Sequence, residues 1–296
     1  MSPRRASAPT TAIDLQPHSV DVTVLESTKD AYRARAGHRD LEDQGSADEL
    51  TQHAASALQD LLDELDAPRE RAAIHTHDQT TTLLTAELPP LKPKDLPDAI
   101  RAHLLVTLPR GIDGLSYRYV ETRRTRTNVH ALILATPNAH LEWLNAVARE
   151  AGVALVHAQP RIISLAHAYL AFDPEPETTT LLVHVGGHRA NIALLHQGTL
   201  ELARITNAGT ATLAKRPEAL RDELLATLEL HEPNGTHVIP TVLTGLSTYD
   251  AAAQAVASDI RFRLHEPRLD GVRFTNGALA GDHLPDLGLA HAASSA

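Results

Sequence analysis

Residues Thr179 to Gly209 read TTLLVHVGGHRANIALLHQGTLELARITNAG, three apolar runs separated by two glycine turns. Leu181, Leu182, Val183 and Val185 form the first run, Gly186-Gly187 the turn, Ile192 to Leu195 the second run, and Gln197-Gly198 leads into Thr199 to Ile205. Runs this short, bounded by glycine, predict strands, and the tight reversals between them predict hairpins. Glycines at the tip of a first strand are where one large fold class holds a nucleotide phosphate.

The same layout occurs earlier. Thr11 to Leu25, TAIDLQPHSVDVTVL, gives a strand end at Ile13, Asp14 and Leu15, a four-residue turn, and a strand with Val20, Val22 and Val24 on one face. A third strand is predicted around Ala31 to Ala36, a helix over Ala47 to Leu65 and a strand at Ala72 to His75. The later copy continues likewise, with a helix over Pro217 to Leu230 and a strand at Val238 to Thr244. Two such halves predict a duplicated α/β domain with a cleft between them.

Five segments recur in a telling order: AIDLQPHSV from Ala12, ELPPLKPKDLPDAIRAHLLVTLP with GIDGLSYRYVE from Glu87, LLVHVGGHRANIALL from Leu181, VLTGLST from Val242 and LGLA from Leu287. On these the chain resembles the actin-like superfamily and, within it, the PilM-like proteins of type IV pilus assembly, from Ala12 to His291. The resemblance implies an α/β, actin-like (duplicated RNase H-like) bilobal fold, with an inserted subdomain in the first lobe and a reduced second lobe. It implies a disordered tail at 1–11, a first actin-like subdomain at 12–78, an inserted subdomain with return to the first lobe at 79–158, a second lobe at 159–292 and a tail at 293–296. The degenerate nucleotide-binding positions it implies are Asp14, Gln16, Ser19, His184, Gly186, Gly187, Thr244 and Gly245.

A phosphate loop needs glycine so that backbone N–H groups approach the phosphates, and an acidic residue to position magnesium. Asp14 is kept, but the glycine two positions on is Gln16, the next residue is Pro17, which lacks a donor, and the Lys-like end is Asp21. In the second loop the acidic position is His184, Gly186 is kept, and the threonine is Ala190. In the third, the second glycine is Leu246. Between Gly209 and Thr244 there is room for one helix and one strand, so the subdomain that would cover a nucleotide is reduced. The expectation is a pseudo-ATPase with no cofactor; the alternative is a nucleotide-binding ATPase switch using ATP and magnesium.

Composition fits a globular chain able to bury one sizeable bilobal core or two to three small ones, with 43% hydrophobic residues in 296. No cysteine is present, which excludes a disulfide framework and thiol chemistry. A net charge of -10 argues against nucleic-acid binding. RRTR at Arg123 to Arg126 falls at a hairpin tip, as a solvated turn or a contact for acidic headgroups or an acidic partner. No run approaches the length needed to span a bilayer, and MSPRRASAPTT lacks an apolar core, so neither membrane insertion nor a signal peptide is expected.

Eighteen histidines raise metal binding as a question. His75, His77 and Asp78 have ligand types at close spacing, but the two histidines alternate along a strand end, which predicts a surface or strand-end role. His18, His184 and His188 fall in or beside the two phosphate-type loops, where a three-histidine site would form. GLSTYD at Gly245 lacks the Gly-x-Ser-x-Gly elbow, because Tyr249 stands two after Ser247. A sugar kinase needs an aspartate base and intact phosphate glycines, neither of which stands out.

The Ala47–Leu65 helix carries Leu50, Ala54, Ala57, Leu58, Leu61, Leu62 and Leu65 on one face, and Lys94 to Leu105 is likewise amphipathic. Trp143 lies in a helix started by Pro137 and stopped at Gly152, on a core-facing pattern. DPEPE at Asp173 to Glu177 reads as the link between lobes. The resemblance implies that a groove between the inserted subdomain and the first half, flanked by the Lys94–Leu105 helix, takes the N-terminal tail of a PilN-like inner-membrane partner. It implies a cytoplasmic adaptor of pilus or related secretion assembly, peripheral to the inner membrane through that partner and open to self-association.

Overall fold

The computed structural model describes residues 8–28, 31–41, 46–173, 177, 179–231, 237–245, 250–266, 269, 271–275 and 283–295. Strands β1 (Thr10–Gln16), β2 (Ser19–Ser27) and β3 (Tyr32–Asp40) form an antiparallel meander, α1 (Ala47–Glu64) crosses over, and β4 (Ala72–Thr76) returns parallel to β1. Ser46 and Glu49 start α1 with a reciprocal capping box. The helix buries Ala54, Ala55, Leu58, Leu61 and Leu62, each leucine contributing about 1.5–3 kcal/mol.

The chain then builds β5 (Thr82–Leu88), α2 (Leu96–Thr107), β6 (Leu115–Arg124) and β7 (Val129–Pro137), a separate antiparallel sheet in the order β5-β7-β6. Helix α3 (Asn138–Glu150) and β8 (Leu155–Pro160) return to the first sheet, where β8 lies parallel beside β4. Next come α4 (Arg161–Phe172) and a second meander, β9 (Thr179–Val185), β10 (Ala190–His196) and β11 (Thr199–Thr206). Helices α5 (Thr210–Leu213) and α6 (Ala219–His231) lead to β12 (Ile239–Thr244), parallel to β9. Helix α7 (Asp250–Ala257), β13 (Phe262–Leu264), β14 (Val272–Phe274) and α8 (Leu284–Ser295) close the chain.

The two large sheets share one topology. Their orders are β14-β3-β2-β1-β4-β8 and β11-β10-β9-β12-β13, so each strand from β1 to β4 has a counterpart from β9 to β12. Each sheet has an outer face covered by its own helices. Ile13, Leu15, Val20, Val22 and Val24 pack with α1 and α3, while Leu181, Val183, Ile192 and Leu194 pack with α6 and α7. The inner faces share a central layer of α4 and α8 that buries Ala12 and Ala73 from one sheet and Leu182, Ala193 and Val242 from the other. The two helices touch closely at Gly288, where a Cβ would lie 1.9 Å from the Ser164 carbonyl oxygen.

Four sequence expectations change. The segment 159–292 does not form one lobe: β14 pairs in parallel with β3 of the first sheet, and α8 packs against α4 and the first sheet's β1, β2 and β4. Residues 293–296 are not simply a tail, because α8 runs to Ser295 and Ala293 is buried. At the other end, Thr10 and Thr11 already belong to β1, and Thr11 Oγ1 donates to the Pro68 carbonyl at 2.7 Å; residues 1–7 lie outside the described residues. His75 keeps its place at the strand end but is buried and not a surface group: it donates from Nε2 to Asp286 Oδ1 at 3.1 Å, and His283 Nδ1 donates to Oδ2 at 3.1 Å. Burial opposes the Asp286 charge, but the bonds from His283 and His75 outweigh it and hold its pKa below the usual carboxylate range. Residues 174–176 of the DPEPE connector are likewise outside the described residues.

Candidate functional site

Strand alternation decides which side chains meet between the lobes. Ile13 and Leu15 point to the outer core, so Ala12 and Asp14 face α4. In the second sheet, Val183 and Val185 point outward, so Leu182 and His184 face the same helix. Asp14 and His184 thus hold equivalent places on β1 and β9, as the two loop motifs imply.

Arg161, the first residue of α4, occupies the space between them. Its Nη2 is hydrogen-bonded to Asp14 Oδ2, its Nη1 donates to His184 Nε2 at 3.1 Å, and its Nε lies 3.6 Å from Asp78 Oδ2. An arginine always donates, so His184 carries its proton on Nδ1. From there it donates to Thr244 Oγ1 at 3.0 Å, and Thr244 donates to the Val183 carbonyl at 3.1 Å. Gln16 Nε2 donates to Asp14 Oδ1 at 2.8 Å, and Asn191 Nδ2 donates to Asp78 Oδ2 at 2.7 Å. The network crosses both lobes.

The electrostatics follow. Burial, and after it the Arg161 charge, hold the His184 imidazole well below the ordinary histidine range, so it stays neutral. Burial also works against the Arg161 charge, but Asp14 and Asp78 outweigh it and the pKa lies above the ordinary arginine value. Removing one member of a buried ion pair costs about 3–5 kcal/mol, because the partner charge is left alone.

The remaining implied positions divide. Ser19, Gly186 and Gly187 line a cleft of about 350 Å³ with Asp14, Gln16 and Arg161. The Gly186 N–H donates to the Arg189 carbonyl at 2.8 Å within its own turn, and so is not turned toward a phosphate. Gly245 has φ +75°, and a Cβ there would lie 2.2 Å from the Val185 carbonyl oxygen, so close strand approach accounts for it. Leu246 is outside the described residues. With a guanidinium on Asp14, a neutral histidine at the second acidic position and no donor at Pro17, these residues do not fit a magnesium nucleotide.

The three-histidine site does not assemble. His18 and His188 face each other with ring centroids 6.4 Å apart, but both His184 nitrogens are engaged by Arg161 and Thr244. Among the described residues, no group of three or more His, Cys, Asp or Glu side chains is set to hold a metal. At the RRTR hairpin, Arg124 folds back on Glu121 with bonds of 2.6 Å to both carboxylate oxygens.

Arg161 and Asn191 were not picked out as site residues from the sequence, and Asp78 was noted only for its ligand type beside His75 and His77. One signal for Arg161 was available: it is the only charged residue of RIISLAHAYLAF and opens that helix, where the helix dipole disfavours a cation. Such a residue needs carboxylates from elsewhere.

A second concavity lies apart from this cleft. About 620 Å³ of groove runs between α4 and the three-stranded sheet, lined among others by Tyr119, Val120, Leu134, Ile163, Ala166 and Leu170. Val120 and Leu170 are 46% and 36% exposed, so the groove wall presents apolar surface to water. The expected flanking helix is absent from its lining: α2 buries Leu96, Ile100 and Leu104 against the sheet's opposite face, with Ala86, Ala131 and Ile133. Among the described residues β6 pairs only with β7, leaving its other edge unpaired.

No protein-family signature and no curated protein matches the sequence. Solved structures do. The chain is similar to the PilM-PilN type IV pilus biogenesis complex at TM-score 0.76 and 13% identity, over 98% of this chain and 99% of that one. It is similar to the cytoplasmic domain of EpsL, an inner membrane component of the Vibrio cholerae type II secretion system, at TM-score 0.56 and 12% identity, over 98% and 96%. A Bacteroides thetaiotaomicron protein with actin-like ATPase fold and unknown function gives TM-score 0.55 at 12% identity, over 96% and 95%. The chain therefore has the actin-like ATPase fold. The likeness to the PilM-PilN structure extends over nearly the whole of both chains. No helix among the described residues is long and apolar enough to cross a membrane.

Proposed function

We propose that this protein is a cytoplasmic adaptor of type IV pilus or related secretion assembly, whose groove between α4 and the inserted sheet takes the N-terminal tail of a PilN-like inner-membrane partner. The observation that carries this reading is the contrast in lining: this groove of about 620 Å³ is mostly apolar, while in the nucleotide-type cleft Asp14 is paired with Arg161. An extended tail can pair with the open β6 edge and seat alternate apolar side chains against Val120, Leu134 and Leu170. The PilM-PilN likeness supports the partner class. In this reading the protein reaches the membrane surface through its partner and hydrolyses no ATP.

Fluorescence anisotropy with a labelled PilN-like tail peptide tests the proposal. Wild type binds saturably, and Val120→Arg or Leu170→Asp weakens binding at least tenfold, about 1.4 kcal/mol, with an unchanged melting midpoint. Equal binding by wild type and both variants, or none by wild type, overturns it. A midpoint that rises with millimolar magnesium ATP would replace it with a nucleotide-gated switch.

A further inference from the structure

We infer that Arg161 is a built-in cation that has taken over a divalent-cation position, joining the two lobes through its own side chain, and that its removal opens this position to a divalent metal. The inference is independent of what the groove binds. Its first support is placement. Asp14 belongs to β1, Asp78 follows β4 and His184 lies on β9, so one guanidinium gathers groups from both sheets, and Asn191 of β10 reaches it only through Asp78.

The second support is unmet bonding. Asp78 Oδ1, Asn191 Oδ1 and Arg161 Nε are buried with no hydrogen-bond partner. Asn191 is fully buried and the Asp78 side chain is 10% exposed. The carboxylates of Asp14 and Asp78 both face Arg161, and the Asn191 amide is bonded to Asp78, so the residues at this position are two carboxylates and an amide oxygen, the kind of donors that hard cations take, usually as one or two carboxylates with waters. Buried acceptors left unmatched are costly, so the guanidinium does not satisfy every polar group around it. His184 completes the exchange: a neutral imidazole accepts from Arg161 through Nε2, where a third carboxylate would leave excess negative charge.

Mn2+ titration of wild type, Arg161→Ala and Arg161→Gln, followed by thermal melting and by loss of the free-ion electron paramagnetic resonance signal, tests this. Wild type shows neither effect. Each neutral variant removes free Mn2+ from the spectrum and melts a few degrees higher as the metal concentration rises, and adding Asp14→Asn abolishes both. Arg161→Lys, which restores a charge, takes up no Mn2+. Should Arg161→Ala unfold, its refolding on Mn2+ addition carries the same meaning. The inference fails if wild type binds Mn2+ as well as the variants do, or if neither neutral variant, folded or not, responds to the metal.

Discussion

The two concavities sit on one helix and have opposite character. At the N-terminus of α4, Arg161 engages the polar groups at the base of the interlobe cleft, with bonds to Asp14 and His184. Along its flank, Ile163, Ala166 and Leu170 leave the groove apolar and partly open. A cleft whose polar groups bond to one another has little left for a ligand, whereas exposed apolar surface gains free energy when covered. The difference teaches that in this fold the place to look for a partner is where apolar surface is left exposed, not where the loop motifs stand.

The comparison rests on α4 being held firmly from behind by α8, and the strongest way to break it is to remove that support. Ending the chain before Leu284 exposes the sites of Leu284, Leu287 and Leu289, all fully buried. At about 1.5–3 kcal/mol for each leucine, the loss is about 5–9 kcal/mol, on the scale of a domain's entire stability. The truncated chain should show no cooperative melting by circular dichroism. A truncation that melts like wild type would detach both concavities from this helix pair.

A smaller change probes the same contact. Gly288→Ala sets a methyl 1.9 Å from the Ser164 carbonyl oxygen and 2.8 Å from the Ala168 nitrogen, so the helices must part. The expected loss is about 1–3 kcal/mol, read from urea unfolding midpoints. Ile163 and Arg161 lie on the displaced helix, so tail binding should weaken with it.

Acid separates the two regions more gently. Burial first, and the neighbouring His77 second, push the His140 imidazole down to about 4. Its Nε2 accepts the His77 backbone N–H at 3.2 Å, one residue from Asp78. Between the folded value and the ordinary value of about 6.5, the unfolded chain binds more protons, so the contribution is fully present above that range and is lost as pH falls toward 4. His140→Gln, which keeps an acceptor, should flatten the acid limb of a melting-midpoint profile. A profile identical to wild type would remove His140 from the account. The smallest expected effect is on the groove itself: Arg161→Gln should bind the partner tail as wild type does, and a marked loss would show that the concavities are coupled through α4.

Local periodicity made the strands legible. The alternation through Ile13, Asp14 and Leu15 and through Val183, His184 and Val185 already separates the core-facing positions from the two cleft residues. Helical spacing likewise placed α1, through Leu50, Ala54, Leu58, Leu61 and Leu65. Arg161 was hidden for the opposite reason: its main partner Asp14 is 147 positions away, and no local pattern reports such a pairing. The return of Val272–Phe274 to β3 was hidden likewise, since three residues carry no usable period. The side of the inserted sheet that α2 covers was not legible, because amphipathicity reveals that a face is buried but not which side of a sheet receives it.

The strand β14 has a mechanical consequence. The chain passes from the first lobe to the second through α4, and after β13 it passes back to add β14 beside β3. Two bodies tied by a single cord can swing and twist in any direction; tied by two, they turn easily only about the line through both ties. The two ties favour turning about the line that joins them, like a door hung on two pins, and α8, packed on the first sheet, belongs to the frame and not to the leaf.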